Sequence, residues 1–232
     1  GSTLTIGAGI TIAGPQSGVV GTDGPNRNTK LINQGTIRAE SGSNISLNTV
    51  AVRNEGLLQA TSGRQIYVVN LTNAASGQLA WDDNAASNFF LDGTTTLEAD
   101  EALSGAGILR VRGTLDLGGH TLTAGGVFTS DQNPTVKNGR LAGTTAYRVE
   151  SGKTLTLDST VTVAGDITVA NSGRLLVSNG KLILDGATVH LQAGGSWTPV
   201  DFVGDAPELA GNGRVSFEGS SGNNLVRPLT EG

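Results

Sequence analysis

Cysteine and methionine are both absent from this chain, and aromatic residues make up only 4% of it. The first absence excludes disulfides, thiolate metal sites and a thiol nucleophile. The scarcity of rings leaves Val, Ile, Leu and Ala to supply nearly all of the apolar surface. Charge is sparse too, at 15% Asp, Glu, Lys and Arg with a formal net charge of −5. No run of basic residues occurs, which argues against nucleic acid as a partner, since that binding depends on clustered Lys and Arg. No stretch approaches the roughly 20 apolar residues of a membrane span, so membrane insertion is not expected. Gly1-Ser2 lacks an initiator Met and reads as a cloning scar, and no signal peptide is visible, so the chain is taken as an excised fragment.

Glycine is abundant instead, at 35 of 232 residues. Together with many β-branched residues and frequent turn residues, it points to an all-β protein of short strands. Nowhere do apolar residues recur at i, i+3, i+4 and i+7 through an 11-residue window, so the chain is expected to be nearly helix-free.

The arrangement of those strands is written twice between Leu31 and Val68. Asn33, Gly35, Ile37, Ala39, Gly42, Ile45 and Leu47 are each answered 21 residues later by Asn54, Gly56, Leu58, Ala60, Gly63, Ile66 and Val68. Gly77, Leu79 and Trp81 keep the same interval in a damaged third copy. A fixed period near 20 with alternating apolar positions is the signature of a solenoid. Alternation places Ile37 and Ala39 on one face and Thr36 and Arg38 on the other. One such coil cannot bury its own apolar residues or pair its backbone, whereas a second coil about 4.8 Å above does both. Asn33 over Asn54 is then expected to form a side-chain ladder, with Gly35 and Gly56 supplying positive φ. Because crossovers between parallel strands are overwhelmingly right-handed, the expected fold is a single right-handed parallel β-helix (a β-solenoid) spanning 1–232, of roughly ten coils. An antiparallel sandwich also has many short strands, but it gives no reason for the 21-residue repeat. Segments 15–29, 81–102 and 128–140 lack clean alternation and are expected to protrude as loops.

The Leu-x-Asn-x-Gly-x-Ile-x-Ala-x-x-Gly phrase at 31–42, its repeat at 52–63, and Leu103-Ser-Gly-Ala-Gly-Ile-Leu-Arg-Val-Arg-Gly-Thr-Leu-Asp-Leu117 resemble the repeats of filamentous-haemagglutinin-type and autotransporter-type β-helical adhesins. That resemblance implies a secreted or cell-surface bacterial protein, a rigid spacer within a longer stalk whose neighbouring coils continue it. Its partner would be a receptor or glycan on a host or neighbouring cell. The motif describes a scaffold and transfers no functional residue.

Catalytic signatures are missing: there is no G-x-S-x-G, P-loop, H-E-x-x-H or G-x-G-x-x-G. His120 and His190 are the only histidines, each beside strand residues, which favours a surface or turn position over catalysis or metal binding. No catalytic, cofactor or metal site is therefore expected. The G-G-x-G-x-D calcium repeat of one β-helix class is also missing. The acidic segment Asp82, Asp83, Asp92, Glu98, Asp100 and Glu101 beside Trp81 supports one enzymatic alternative, a polysaccharide lyase or glycosidase, because paired carboxylates serve that chemistry. Ice binding is a second alternative, suggested by Thr-x-Thr pairs beginning at Thr3, Thr94, Thr121, Thr154 and Thr160. Their separations of 91, 27, 33 and 6 residues fit no common coil length. Adjacent Phe89 and Phe90 cannot both face inward, so one is expected to lie exposed or under a loop. With Trp81, Asp82 and Asp83 they form the candidate contact surface of a non-catalytic adhesive segment. Two sequons, at Asn44 and Asn70, carry little weight in a bacterial protein.

Overall fold

In the computed structural model, residues 1–21, 28–130, 132–143 and 147–229 are described. Every strand pair among them is parallel, no helix occurs, and the strands stack as a β-solenoid with three walls. The third wall contains ten strands, from Gly18–Gly21 to Arg214–Gly219, and so spans nine turns. Asn33 lies directly beside Asn54 in paired strands Lys30–Asn33 and Ala51–Asn54, which is the stacking the repeat requires.

The period is less regular than the repeat implies. Thr3 pairs with Lys30, 27 positions on, whereas Val52 pairs with Leu71, only 19 positions on. Length is absorbed at the corners, while the walls keep their alternation. Strand Leu57–Ala60 buries Leu58 and Ala60 and leaves Leu57 and Gln59 partly exposed. Inward residues consequently form ranks along the axis. In the third wall, Ile45, Ile66, Phe89, Leu109, Phe128, Tyr147, Ile167 and Val189 follow one another coil by coil. All are buried, and together with the ranks of the other walls they form one continuous core.

Two sequence expectations are corrected here. Gly35 and Gly56 are not in the left-handed region; that conformation belongs to Gly42 (φ 94°) and Gly63 (φ 74°). The first pair is glycine because the coils approach too closely for a side chain: a Cβ on Gly56 would stand 2.2 Å from the carbonyl oxygen of Gly35. The segments expected to protrude also contain wall strands. Asn88–Asp92 and Thr94–Leu97 lie within 81–102, Glu101–Leu103 begins at its end, and Val127–Ser130 and Thr135–Ala142 cover most of 128–140. Strand Gly18–Gly21 lies within 15–29, where residues 22–27 fall outside the described part.

Candidate functional site

The five candidate contact residues separate on folding. Trp81 points inward, 5% exposed, with its ring centroid 6.2 Å from that of Phe89. It occupies the rank of Ala39 and Ala60, and the next coil passes over its indole on Gly105 and Gly107. Trp81 and the fully buried Phe89 are thus core residues and present no contact surface, contrary to the sequence reading. Asp83 is exposed on the following turn. Asp82 organises that turn, accepting hydrogen bonds from Ser87 Oγ (2.6 Å), the Ser62 amide (2.7 Å) and the Asn84 amide (3.3 Å). Partial burial pushes its carboxyl up, but these bonds outweigh burial and hold it below the usual carboxylate range.

Glu98, Asp100 and Glu101 are likewise engaged between coils. Glu98 accepts from both terminal nitrogens of the Arg53 guanidinium, at 2.7 and 2.9 Å, and Asp100 accepts the Thr121 amide at 2.8 Å. Glu101 terminates a ladder that only part of the sequence announced. Asn33 Nδ2 donates to Asn54 Oδ1 (2.8 Å), Asn54 Nδ2 donates to Asn73 Oδ1 (2.7 Å), and Asn73 Nδ2 donates to Glu101 Oε2. The second wall is interrupted at the same place: strand Gln78–Trp81 ends one sheet, and Glu101–Leu103 begins its continuation without pairing to it. There the Leu79 amide donates to Glu101 Oε1 at 3.1 Å, so a side chain replaces a backbone partner. A cleft of about 540 Å³ opens over this break, lined by Gly77, Leu79, Asp100, Glu101, Ala102 and Ser104 among others. Burial pushes the Glu101 carboxyl up, and the bonds from Leu79 and Asn73 only partly offset that.

Phe90 lies on the outer face of the third wall, yet it is only 7% exposed. Tyr67 of the preceding coil stacks on it, with centroids 4.3 Å apart and planes at 4°. The Arg112 guanidinium sits 4.4 Å from the Phe90 centroid, and Arg110 lies 5.6 Å away. Arg112 Nη1 also donates to Tyr67 Oη at 2.7 Å. This aromatic and cationic stack spans three coils. Beside it, a depression of about 330 Å³ is lined by Val19, Ser46, Leu47, Asn48, Tyr67, Val69 and Asp92. Of the candidate residues only Phe90 belongs to this feature, and as its buried support. Tyr67 and Arg112 were missed because, until the coil register is known, one is an ordinary outward strand residue and the other an ordinary corner residue just after strand Ile108–Val111.

His190 also lies on the third wall, with Nδ1 2.6 Å from Glu218 and Nε2 3.6 Å from Asp166, and His120 stands 3.7 Å from Asp100. No group of three His, Cys, Asp or Glu side chains among the described residues is placed to hold a metal. The fold and surface define a parallel β-solenoid with an aromatic depression on its third wall. No protein-family model, curated protein or solved structure matches the chain.

Proposed function

We propose that the chain is a non-catalytic, adhesive segment of a bacterial cell-surface or secreted protein, a rigid rod whose walls hold contact groups at fixed heights. The supporting observation is the use made of its polar side chains. Asp82, Glu98 and Glu101 are occupied in bonds between or within coils, whereas the third wall displays an ordered aromatic and cationic stack beside a depression. Rigid presentation of pre-organised groups lowers the ordering cost of each weak contact, which is what multivalent adhesion needs. Purified protein immobilised on beads is expected to retain cells or glycan-coated surfaces and to release no reducing or unsaturated ends from a polysaccharide panel. Cleavage of any member of that panel would sink this reading.

The enzyme alternative keeps one specific support, the buried Glu101 beside Asp100 in the cleft over the wall break. If it holds, Glu101→Gln abolishes the cleavage. Ice binding has less behind it. Thr94, Thr114, Thr135 and Thr156 do align in four successive coils, but the neighbouring rank continues from Thr96 into Asp116, Lys137 and Asp158. Charged neighbours break up the flat hydroxyl face that a thermal-hysteresis effect would require.

A further inference from the structure

The outer rank of the third wall runs Val19, Ser46, Tyr67, Phe90 and Arg110 through five successive coils. Four of these side chains are bulky, and Ser46 is not. Val19 and Tyr67 are two storeys apart, about 10 Å at the ordinary strand spacing, with only a hydroxymethyl group between them. The depression at this point is therefore a missing rung in a stack of side chains. A ring entering it would lie on Tyr67 at the same spacing at which Tyr67 lies on Phe90.

The platform is pre-organised. Phe90 covers one face of the Tyr67 ring, and Arg112 fixes its hydroxyl, so the second face is presented in a single orientation. The rim selects the ligand. Val19 and Val69 flank the opening with aliphatic surface, and Ser46, Asn48 and Asp92 supply polar edges. An anionic ring would meet Asp92, which lines the opening, whereas Arg112 is engaged with Phe90 and the Tyr67 hydroxyl and does not line it. A hydrocarbon ring would strip water from Asp92 and return no hydrogen bond. A ring with an apolar face and hydroxyl groups around its edge matches the Tyr67 face and the polar rim together.

We infer that this notch is a saccharide subsite, in which a neutral pyranose stacks its C–H face on Tyr67 and donates hydroxyl hydrogens to Asp92 and Ser46. The inference rests on the adhesive reading for its biological sense, although the geometry does not depend on it. Saturation-transfer NMR and calorimetry with methyl glucoside, galactoside, mannoside and N-acetylglucosaminide test it directly. Ring C–H protons of at least one glycoside are expected to receive saturation, and Tyr67→Ala is expected to weaken binding about tenfold or more. Because Tyr67→Ala also removes packing from Phe90, the second variant is Ser46→Tyr, which fills the missing rung and leaves the core untouched. It is expected to abolish binding with the melting temperature held or raised. Binding that survives Ser46→Tyr, no binding to any of the four glycosides, or binding only to aromatic peptides each overturns the subsite. Cleavage of a bound oligosaccharide would instead overturn the non-catalytic reading and leave the subsite standing. Cell retention unchanged in Ser46→Tyr, with no glycoside bound by either protein, would do the reverse.

Discussion

At the residue scale, the asparagine ladder makes a prediction about unequal partners. Asn54 is used at both ends, accepting from Asn33 and donating to Asn73, and its second amide hydrogen goes to the Gln78 carbonyl at 3.2 Å. Asn33 opens the ladder, and its Oδ1 accepts nothing among the described residues, because Ile6 occupies the preceding rung. Asn54→Ala therefore orphans a donor and an acceptor in a dry interior, at a cost of roughly 2–5 kcal/mol. Asn33→Ala orphans a single side-chain acceptor and is expected to cost about half as much. Urea denaturation of the two variants compares them, and equal costs would mean that the amides are not coupled as drawn. The other end of the ladder makes a prediction about pH. Burial raises the folded-state pKa of Glu101 above the ordinary 4.5. Its contribution to stability is then fully present below that ordinary value and is lost as pH rises through the folded one. Asp82 and Asp116 act in the opposite sense, because hydrogen bonds outweigh burial and depress both, so their contribution is lost as pH falls. Comparing wild type with Glu101→Gln cancels these common terms. The variant is expected to gain stability relative to wild type as pH rises above the ordinary 4.5 and to level off once pH passes the folded-state value, whatever its constant offset. A flat difference in thermal melts over that range would show that Glu101 does not titrate differently on folding. Asn73 did not stand out in the sequence, and Glu101 did so only as one of an acidic segment, not as the end of the ladder. Asn73 comes 19 residues after Asn54 instead of 21, and Glu101 reaches the ladder from a different wall.

At the scale of the strand and its corner, two kinds of glycine should respond differently to the same substitution. A Cβ on Gly56 would lie 2.2 Å from the Gly35 carbonyl oxygen, with the Gln34 carbonyl also within 3 Å. Gly152 has φ of 69° and open space around its Cβ position. Gly152→Ala is thus expected to cost the local strain alone, about 1–2 kcal/mol. Gly56→Ala must push two coils apart, and it is expected to cost more and to disturb the pairing of Thr36–Ala39 with Leu57–Ala60. Melting temperatures rank the two, and Gly7→Ala, with neither crowding nor positive φ, serves as the neutral reference. The periodicity made the stacking of Ile37, Leu58 and Leu79 legible, because an inward residue at every second position is a local property. It did not reveal strand Asn88–Asp92, where Phe89 and Phe90 are both apolar and alternation is lost. Phe90 is tolerated outside the wall because Tyr67 and Arg112, 23 positions before it and 22 after, close over it. Reading that cluster required the lengths of the intervening corners, which vary between coils and leave no pattern in the sequence.

For the molecule as a whole, a stack in which each coil touches only its neighbours opens from places where a neighbour is missing. The last coil shows this directly: Leu209, Phe217 and Val226 continue the inward ranks of Leu182, Leu191 and Val200, yet are 40%, 63% and 41% exposed. Leu4 in the first coil is 42% exposed for the same reason, whereas Phe128 and Tyr147 midway along are fully buried. Amide exchange should accordingly be fastest among the strands in Thr3–Ile6 and Asn224–Pro228 and slowest around Tyr147–Val149. The break in the second wall adds a feature that position along the rod alone does not give. Between Gln78–Trp81 and Glu101–Leu103 the backbone ladder is absent, and the Leu79 amide depends on one carboxylate, while the first and third walls pass through intact. The same two coils therefore combine protected amides on two walls with a weak one on the third. Protection against exchange, measured residue by residue, is expected to dip at Leu79 relative to Leu58 in the coil before it, and to dip further in Glu101→Gln, whose amide side chain cannot accept from both Leu79 and Asn73. A profile that rises smoothly from either end to the middle, with Leu79 as protected as Leu58, would mean that the carboxylate closes the wall as well as a strand does. The cleft beside it would then be only a surface groove.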